Sequence, residues 1–412
     1  MKNKFFISFL LIISLLFVFY GCGGKEIDVE DYDDDIILHT KWPFPVGVAV
    51  PGKNTSNTTN DDALSTSNPQ HKFLKHFNVV VAENEMKPAN ILPSNLPEKQ
   101  PSSWQHTDNF FKWANADALV NYAQSNGKRV RGHTLIWHSQ TPDWFFKGNG
   151  VSGRATKSEL YARMENYIRV VFQKYGNKID TWDVCNEVVS HNVKGAREDS
   201  EYTKIMRDTN TNDYEYVVNA FKWARQYADE NNGADVKLYL TDFGVERPFN
   251  RGGSTKQDDF LACVRYLITN NAPIDGVGFQ GHFRLYDHPV EQISKGIDMF
   301  SNVNNKKLMI QICELDISLF SNEKNEANGT TINNNNLPTR LSDLADTYRT
   351  YFDMFETKYK EGKLNMVLIW GIADGHSWLN DHPVKGRTDH PLLFNRKYRA
   401  KEAYIKLVED RP

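Results

Sequence analysis

Short apolar segments rich in β-forming residues alternate with amphipathic helical segments along most of this 412-residue chain. Eight candidate strands lie at 45–50, 77–82, 129–137, 179–184, 236–240, 276–279, 307–312 and 366–370. Helical periodicity marks 108–124, 157–174, 213–231, 255–269, 290–300 and 340–361, and a last segment at 397–408. Strands that are apolar on both faces and alternate with helices indicate a parallel sheet. Eight such units predict one α/β domain folded as a (β/α)8 TIM barrel.

The barrel prediction also indicates where a functional site would lie, because active sites of such barrels form at the carboxyl ends of the strands. Polar residues that would be unusual in a core stand at these ends: Glu83, Asn84, His133, His138, Asn186, Glu187, Asp242, Gln280, His282, Glu314, Asp316 and Asp374. A doubly wound open sheet would instead need a Gly-rich phosphate-binding loop early in the chain, and the sequence contains none. The pattern therefore favours a polar cleft at one end of a closed barrel.

Two glutamates at separate strand ends carry the strongest functional signal. Glu187 follows the apolar segment 182–186, and Glu314 follows the apolar segment 310–313. Cleavage of a glycosidic bond requires two carboxyl groups at one place, one as proton donor and the other as nucleophile or base. The pair predicts a sugar-cleaving enzyme.

Composition agrees with this prediction and excludes one alternative. The formal net charge is −3 and no basic stripe is present, which argues against a nucleic-acid partner. The chain contains nine Trp and eighteen Tyr, whose apolar faces can pack on sugar rings. No second folded segment is present that would form a separate carbohydrate-binding module, and we expect a monomer.

The N-terminus has the pattern of a signal peptide. Lys2 and Lys4 precede an apolar run at 5–20, and Gly21-Cys22 follows. A small residue directly before a Cys resembles the lipobox of bacterial lipoproteins. The resemblance implies that residues 1–21 are removed and that Cys22 receives the lipid, with plain secretion as the alternative.

An acidic segment follows the proposed lipid attachment site. Residues 28–35 are mostly Asp and Glu, too polar to fold alone, so we interpret 22–38 as a tether and 39–412 as the catalytic domain. Acidic residues at this position resemble the surface-export signals of Bacteroidetes lipoproteins. They imply an outer-membrane lipoprotein at the cell surface, attached to the membrane through its lipid only, with a periplasm-facing anchor as the alternative.

The remaining cysteines, Cys185, Cys263 and Cys313, are odd in number and lack the spacing of a disulfide framework. We expect all three to be buried as small apolar side chains. His133 and His138 stand five residues apart on one predicted strand and would face opposite sides, so we do not expect a metal pair. The sequence predicts neither a metal nor another cofactor.

The strand-end motifs resemble those of glycoside hydrolase family 10, whose members are chiefly endo-β-1,4-xylanases. Five motifs carry the resemblance, at 83–87, 131–140, 182–187, 278–283 and 314–317, and it extends over about 42–408. It implies an endo-β-1,4-xylanase that hydrolyses xylan or xylo-oligosaccharides with retention, through a covalent glycosyl-enzyme intermediate. Retention requires the two carboxyl groups to lie about 5 to 5.5 Å apart.

The resemblance also implies individual roles. Glu187 would be the general acid/base and Glu314 the nucleophile, with Asn186 on the sugar 2-hydroxyl and with His282 and Asp316 orienting Glu314. The hydrogen-bonding lining of the glycone side would be Glu83, Asn84, Lys87, His133 and Gln140, with Gln280 near the reacting centre. The aromatic walls would be Trp137, Trp370 and Trp378, and Phe243 would stack on the leaving-group side.

The sequence departs from the family pattern after the fifth strand. Thr241-Asp242-Phe243-Gly244 stands where Asn-Asp-Tyr-Asn is usual. Phe243 can still stack on a sugar but lacks the hydroxyl group, and Thr241 and Gly244 lack the two amide side chains. We therefore expect altered binding on the leaving-group side.

Two other functions remain open on the sequence alone. A related barrel glycosidase could act on β-1,4-glucan or short aryl glycosides, because xylose differs from glucose by one hydroxymethyl group and discrimination depends on pocket shape. A non-catalytic glycan-binding lipoprotein is a different class. It would not need the pair Glu187 and Glu314 together with Asn186, His282 and Asp316, so the sequence favours an enzyme.

Overall fold

Eight parallel strands form a closed barrel in the computed structural model, which describes residues 36–52, 62–95, 108–149, 152–250, 253–320, 332–333 and 335–409. In chain order the strands are β1 (Val46–Val50), β2 (Val79–Ala82), β3 (Arg129–Gly132), β4 (Thr181–Asn186), β5 (Lys237–Asp242), β6 (Gly276–Phe279), β7 (Met309–Ser318) and β8 (Leu364–Ile369). Each strand pairs in parallel with the next, and β8 pairs with β1 to close the ring. The predicted TIM barrel is confirmed.

Helices connect the strands and cover the barrel from outside. In the described residues they are α1 (Pro88–Ile91), α2 (Ala114–Ser125), α3 (Lys157–Tyr175), α4 (Glu201–Asp208), α5 (Glu215–Glu230), α6 (Lys256–Thr269), α7 (Val290–Phe300), α8 (Leu337–Lys360) and α9 (Glu402–Val408). Seven of these correspond to predicted segments, while α1 and α4 lie in loops on the site side and were not predicted. The predicted segment 157–174 and α3 begin at the same residue, Lys157. Thr156 and Glu159 form a capping box that fixes this start.

Shorter elements complete the described structure. Strand pairs outside the barrel are Lys147–Gly148 with Ser152–Arg154, and Asn302–Val303 with Lys306–Lys307. Single 3-10 turns lie at Leu38–Thr40, His71–His76, Asp108–Phe110, Asp143–Phe146, Gly176–Lys178, Asp374–His376 and Trp378–Asn380.

The third predicted strand, 129–137, is wrong in its extent. The structure divides it into β3 and a two-residue strand, Ile136–Trp137, which pairs with the end of β4. Between them the Leu135 amide and the Thr134 hydroxyl both donate to the Asp183 carbonyl oxygen, each at 2.9 Å, which replaces ordinary strand pairing. The alternation argument applied to His133 and His138 therefore does not hold, because no continuous strand joins them.

The seventh predicted strand, 307–312, is too short. β7 runs through Ser318 because a short strand after β6, His282–Arg284, pairs in parallel with Asp316 to Ser318. Glu314 and Asp316 consequently lie within a strand, and their side chains project from a rigid backbone rather than from a loop.

A buried ion pair fills the lower part of the barrel interior. Arg131 donates to both carboxylate oxygens of Asp183, at 2.5 Å through Nη1, and its Nε donates to Gln311 at 3.0 Å. The Thr241 hydroxyl also donates to Asp183. Burial opposes ionisation of Asp183, but Arg131 and the neighbouring hydrogen bonds outweigh it and lower the pKa of that carboxyl. This network fixes the Asp183 carboxylate, which in turn contacts the ring of His133.

Residues Ile36 to Leu38, which we assigned to the end of the tether at 22–38, already pack against the barrel domain. Leu38 is fully buried, and the Tyr404 hydroxyl donates to the Ile36 carbonyl oxygen. The predicted signal peptide at 1–21, the proposed lipid site Cys22 and residues 22–35 of the tether lie outside the described residues. Within the described ranges, no helix combines the length and apolar character needed to cross a membrane.

The three remaining cysteines, Cys185, Cys263 and Cys313, are buried and unpaired, as predicted. Burial raises the pKa of each thiol well above its usual range. All three are therefore protonated at neutral pH and act as packing groups.

Candidate active site

A single cleft at the carboxyl ends of the barrel strands brings the predicted site residues together. Its volume is about 720 Å³. Every residue that we singled out for catalysis or substrate binding lines it: Glu83, Asn84, Lys87, His133, Trp137, Gln140, Asn186, Glu187, Phe243, Gln280, His282, Glu314, Asp316, Trp370 and Trp378. Side chains that follow seven of the eight strands, β2 to β8, converge here, although 295 positions of sequence separate Glu83 from Trp378.

Glu187 stands directly after β4 in a left-handed backbone conformation, with φ of 55°. Its amide donates to the Thr241 carbonyl oxygen at 2.8 Å, which ties the turn to β5. Gln280 Nε2 donates to Glu187 Oε1 at 3.0 Å and to Asn186 Oδ1 at 3.2 Å. The carboxyl group is 15% exposed and open to the cleft, so it can meet a substrate oxygen.

Glu314 projects from β7 with only 6% of its side chain exposed. His282 Nε2 lies 3.2 Å from Glu314 Oε2, and its Nδ1 lies 2.9 Å from Asp316 Oδ1. Trp378 Nε1 donates to the other Asp316 oxygen at 2.8 Å. The chain Trp378, Asp316, His282 and Glu314 thus fixes the glutamate through three successive polar contacts.

The electrostatic surroundings favour ionised Glu314. Burial alone would raise the pKa of Glu314, but His133, His282 and Lys87 outweigh burial and lower that pKa. His133 Nδ1 is 3.9 Å from Glu314 Oε1 and 2.8 Å from Asp183 Oδ2, so Asp183 holds the ring in place. A buried, ionised carboxylate with a fixed orientation has the properties of a nucleophile.

His282 is the positive partner in this arrangement. Burial opposes its protonation, but Asp316 and Glu314 outweigh burial and raise the pKa of His282 to about 10. Because both ring nitrogens face carboxylates, His282 is a doubly donating imidazolium at neutral pH.

We predict that His282 stays protonated through neutral pH and that Glu314→Gln lowers the pKa of His282 by about one unit or more, because one of its two carboxylates is lost. A folded-state pKa above the unfolded value of about 6.5 stabilises the fold fully below that pH, and this contribution is lost as the pH rises towards 10. Imidazole chemical shifts measured by NMR against pH report both quantities. A His282 titration near 6.5 in the unaltered protein would contradict this prediction.

The part of the cleft that we predicted to be the glycone side combines a buried lysine with aromatic walls. Lys87 Nζ donates to Asn84 Oδ1 at 2.9 Å and lies 5.0 Å from the ring centre of Trp137 and 5.9 Å from that of Trp370. Burial lowers the pKa of Lys87, while Glu314, Glu83 and Glu187 act in the opposite direction. The group of donors and rings can hold both the hydroxyls and the apolar face of a sugar.

Two further residues of this side, Glu83 and Gln140, line the cleft on more exposed backbone. Glu83 follows β2, where its amide donates to the Val50 carbonyl oxygen at 3.1 Å. Gln140 has a φ of 43°, and its carbonyl oxygen accepts from the Ala89 amide at 2.6 Å, so the loop after Trp137 is tied to α1. Both residues line the cleft, where a substrate would lie.

The part of the cleft around Phe243, which we predicted to be the leaving-group side, contains the departure from the family pattern. The Phe243 ring lies 3.3 Å from Lys256 Nζ on one side and 5.3 Å from the His191 ring, which stacks on Phe249 at 5.2 Å. Phe243, His191 and Phe249 therefore form a continuous aromatic surface in the cleft. Lys256 is fully buried and its ammonium group also contacts Asp242 at 2.6 Å.

Thr241 and Gly244, the other departures, do not take the place of the usual amides. The Thr241 hydroxyl points into the barrel towards Asp183, and Gly244 has a φ of 63°, which favours glycine. Neither provides a hydrogen-bonding side chain in the cleft.

Several cleft residues were not predicted from the sequence, because most of them lie on loops without periodicity. Besides His191 and Phe249, the main ones are Arg197, Arg247, Arg284, Phe320, His382 and Arg387. The sequence offered one indication for Arg197, its charge ten positions after the predicted catalytic Glu187. The path of the loop, which brings Arg197 back against Glu187, could not be predicted from the sequence.

His138 does not join His133 in a common polar cluster. Burial and Arg197 lower the pKa of His138 to about 4, so its ring is neutral. Over the ranges given above, the structure contains no group of three or more His, Cys, Asp or Glu side chains arranged to hold a metal ion.

Comparison with known proteins now identifies the family. Residues 44–410 match the sequence model of glycosyl hydrolase family 10. The chain belongs to glycosyl hydrolase family 10. The assignment covers the whole barrel and makes this protein a glycoside hydrolase, in agreement with the paired glutamates in its cleft.

Several known carbohydrate-degrading enzymes resemble the chain in sequence. Endo-1,4-beta-xylanase C of Paenibacillus barcinonensis is 36% identical over 391 residues, which is 93% of this chain but only 32% of that protein. A thermostable celloxylanase of Thermoclostridium stercorarium is 35% identical over 97% of this chain and 94% of its own length. Exoglucanase XynX of Acetivibrio thermocellus is 31% identical, covering 94% of this chain and 30% of its own.

Solved structures of similar proteins agree with the barrel. The family 10 structure from Paenibacillus barcinonensis has a TM-score of 0.73 at 34% identity, over 89% of this chain and 94% of that one. A mutant in complex with xylotriose has a TM-score of 0.73 at 27% identity, over 90% of this chain and 98% of its own.

Proposed function

We propose that the protein is an endo-β-1,4-xylanase that hydrolyses internal bonds of xylan with retention. The observation that carries the proposal is the convergence of Glu187 and Glu314 in one cleft, each with its own supporting contacts. The names of the similar xylanases and the xylotriose bound to a similar structure support the choice of substrate.

In the first step Glu314 attacks the anomeric carbon while Glu187 donates a proton to the departing oxygen. Glu314 is suited to attack because its surroundings keep it ionised and His282 fixes one of its oxygens. Glu187 is suited to the acid role because its side chain is 15% exposed and faces the cleft, where it can reach the departing oxygen. Asn186 lies beside this pair, held by Gln280, where it can bind the sugar 2-hydroxyl.

In the second step a water molecule replaces the departed sugar and Glu187 removes its proton. Glu314 carries no charge while it is bound to the sugar, so the ionised form of Glu187 is then favoured. Attack of water on the anomeric carbon breaks the glycosyl-enzyme bond and restores Glu314.

Product analysis tests the substrate. The protein without residues 1–22 is expected to release xylo-oligosaccharides from xylan and nothing from carboxymethyl cellulose. Cleavage of the cellulose substrate at a comparable rate would support a β-1,4-glucanase instead, which the similarity to a celloxylanase and an exoglucanase keeps as the second candidate. Inactivity on both polymers would favour the glycan-binding alternative.

We also propose that the enzyme is an outer-membrane lipoprotein, anchored through Cys22 and facing the cell exterior as a monomer. The lipobox-like Gly21-Cys22 and the acidic segment 28–35 support this placement. Treatment of intact cells with a protease that cannot enter them should remove the protein. Its survival would argue for a periplasm-facing anchor, and its presence in the medium for secretion.

A further inference from the structure

The loop after β4 turns back on itself and places Arg197 against the candidate acid/base. Val189 and Ala196 form an antiparallel bridge, and the Arg197 amide donates to the Val188 carbonyl oxygen at 3.0 Å. Arg197 Nε donates to the backbone carbonyl oxygen of Glu187 at 2.8 Å, and its Nη2 lies 3.5 Å from Glu187 Oε2. Arg197 therefore hydrogen-bonds to the backbone of Glu187 and lies at ion-pair distance, without a hydrogen bond, from the carboxyl group of the same residue.

The contact between Arg197 and Glu187 is largely shielded from water, and few other charged groups lie close to it. The Arg197 side chain is 12% exposed, and among the described residues no other Lys or Arg nitrogen lies within ion-pair distance of the Glu187 carboxylate. Asp199 lies 3.9 Å from Arg197 Nη1, but its side chain is 66% exposed, so water weakens the effect of its charge without cancelling it. A charge within about 4 to 6 Å of a carboxyl group in such a setting has a strong effect on its ionisation.

The other charged groups around Glu187 come from different elements and have nearer partners. Lys256, at the start of α6, contacts Asp242 at 2.6 Å, and Lys87, before α1, contacts Asn84. Glu187 in turn helps to keep both ammonium groups charged, since its carboxylate acts against the lowering of their pKa values by burial. Glu314 in β7 carries a negative charge, while Gln280 and the ring of His138 are uncharged neighbours.

We propose that Arg197 is a positioning residue that sets the alkaline limit of catalysis by stabilising the ionised form of Glu187. Glu187 must be protonated to assist departure of the leaving group, so a cation beside it lowers the pH at which the free enzyme stops working. The inference rests on the proposed function, because it takes Glu187 as the acid of that reaction.

The contact between Arg197 and Glu187 has a different effect before and after Glu314 attacks the sugar. Before attack, the negative charge of Glu314 opposes that of Arg197, and Glu187 can keep its proton. After attack, Glu314 is neutral as an ester and Arg197 is unopposed, so ionised Glu187 is stabilised as the base. A fixed cation next to Glu187 thus allows one carboxyl group to change roles when the other changes charge.

The test is the pH dependence of kcat/KM for a linear xylo-oligosaccharide, whose sugar leaving group needs protonation. Arg197→Gln, which removes the charge, should move the midpoint of the alkaline limb upward by about one pH unit. One unit above the wild-type midpoint, the variant should then keep about fivefold more of its maximal kcat/KM than the wild type keeps. Arg197→Lys, which keeps the charge, should leave the midpoint close to the wild-type value.

Asp199→Lys provides a second, independent variant at an exposed position that will not disturb folding. It adds a cation near Glu187 and should move the same midpoint downward. This variant keeps the proposal testable if Arg197→Gln does not fold, which thermal unfolding would reveal. An aryl xylobioside with a good leaving group is the matched substrate, since its alkaline limb should move little in any variant.

The results that would overturn the proposal are distinct. A loss of activity at all pH values without a shifted midpoint would make Arg197 a structural residue only. Equal shifts in Arg197→Gln and Arg197→Lys would exclude its charge as the cause, and an unchanged midpoint in Asp199→Lys would contradict the electrostatic argument. A wild-type protein that does not cleave the oligosaccharide would instead refute the proposed function.

Discussion

Replacement of Glu314 by Gln is expected to reduce kcat on xylan by about 10⁴-fold or more, the scale seen when a catalytic nucleophile is removed. Gln has nearly the same shape and fits beside His282, but it carries no negative charge and cannot form the glycosyl ester. The measurement is the rate of reducing-sugar release from xylan by the purified variant. Thermal unfolding should show that the fold persists.

Glu361→Gln provides the matched control for the same chemical change. Glu361 lies between α8 and the amino end of β8, whereas the cleft is at the carboxyl ends of the strands, and it pairs with Lys358 and Lys363. It does not line the cleft, so its replacement should leave kcat unchanged. If Glu314→Gln kept more than a tenth of the activity, Glu314 could not be the nucleophile.

Replacement of Glu187 by Ala is expected to separate two kinds of substrate. On xylan, kcat/KM should fall by about 10² to 10⁴-fold, the usual contribution of general acid catalysis. On an aryl xylobioside with a good leaving group, kcat/KM should fall far less, because that leaving group departs without a proton. Steady-state rates of both substrates with the same enzyme preparation give the comparison.

Asn186→Ala is the control that distinguishes proton donation from general damage to the site. Asn186 is adjacent to Glu187 and shares Gln280 with it, but its proposed contact is with the sugar 2-hydroxyl. Its loss should therefore lower kcat/KM on both substrates to a similar extent. Equal losses on both substrates in Glu187→Ala would count against the acid role.

The barrel could be predicted because its determinants are local. Apolar strands such as Val79–Ala82, buried at every position, and helices with one apolar face, such as Val290–Phe300, have patterns of fixed period. The site residues could be predicted because parallel strands end at the same rim, so polar residues after separate strands must meet there. The family resemblance suggested a role for each of these residues, and the structure shows that they lie together in one cleft.

Predictions failed where backbone contacts between distant segments decided the outcome. The strand at 129–137 breaks because the Asp183 carbonyl oxygen accepts from both Thr134 and Leu135. β7 extends through Ser318 because the short strand His282–Arg284 offers it a partner. In both cases the local sequence is compatible with a shorter or a longer strand, and contacts with a neighbouring segment determine which of the two forms.

The amino-acid sequence alone determined the barrel, its rim of polar residues and the pair Glu187 and Glu314, since each follows from short-range patterns and strand polarity. Only the tertiary structure decided which charges act on that pair. His282 between Glu314 and Asp316, and Arg197 against Glu187, depend on loop paths and ångström distances. Coulomb interactions depend on separation and burial, which neither composition nor spacing along the chain specifies.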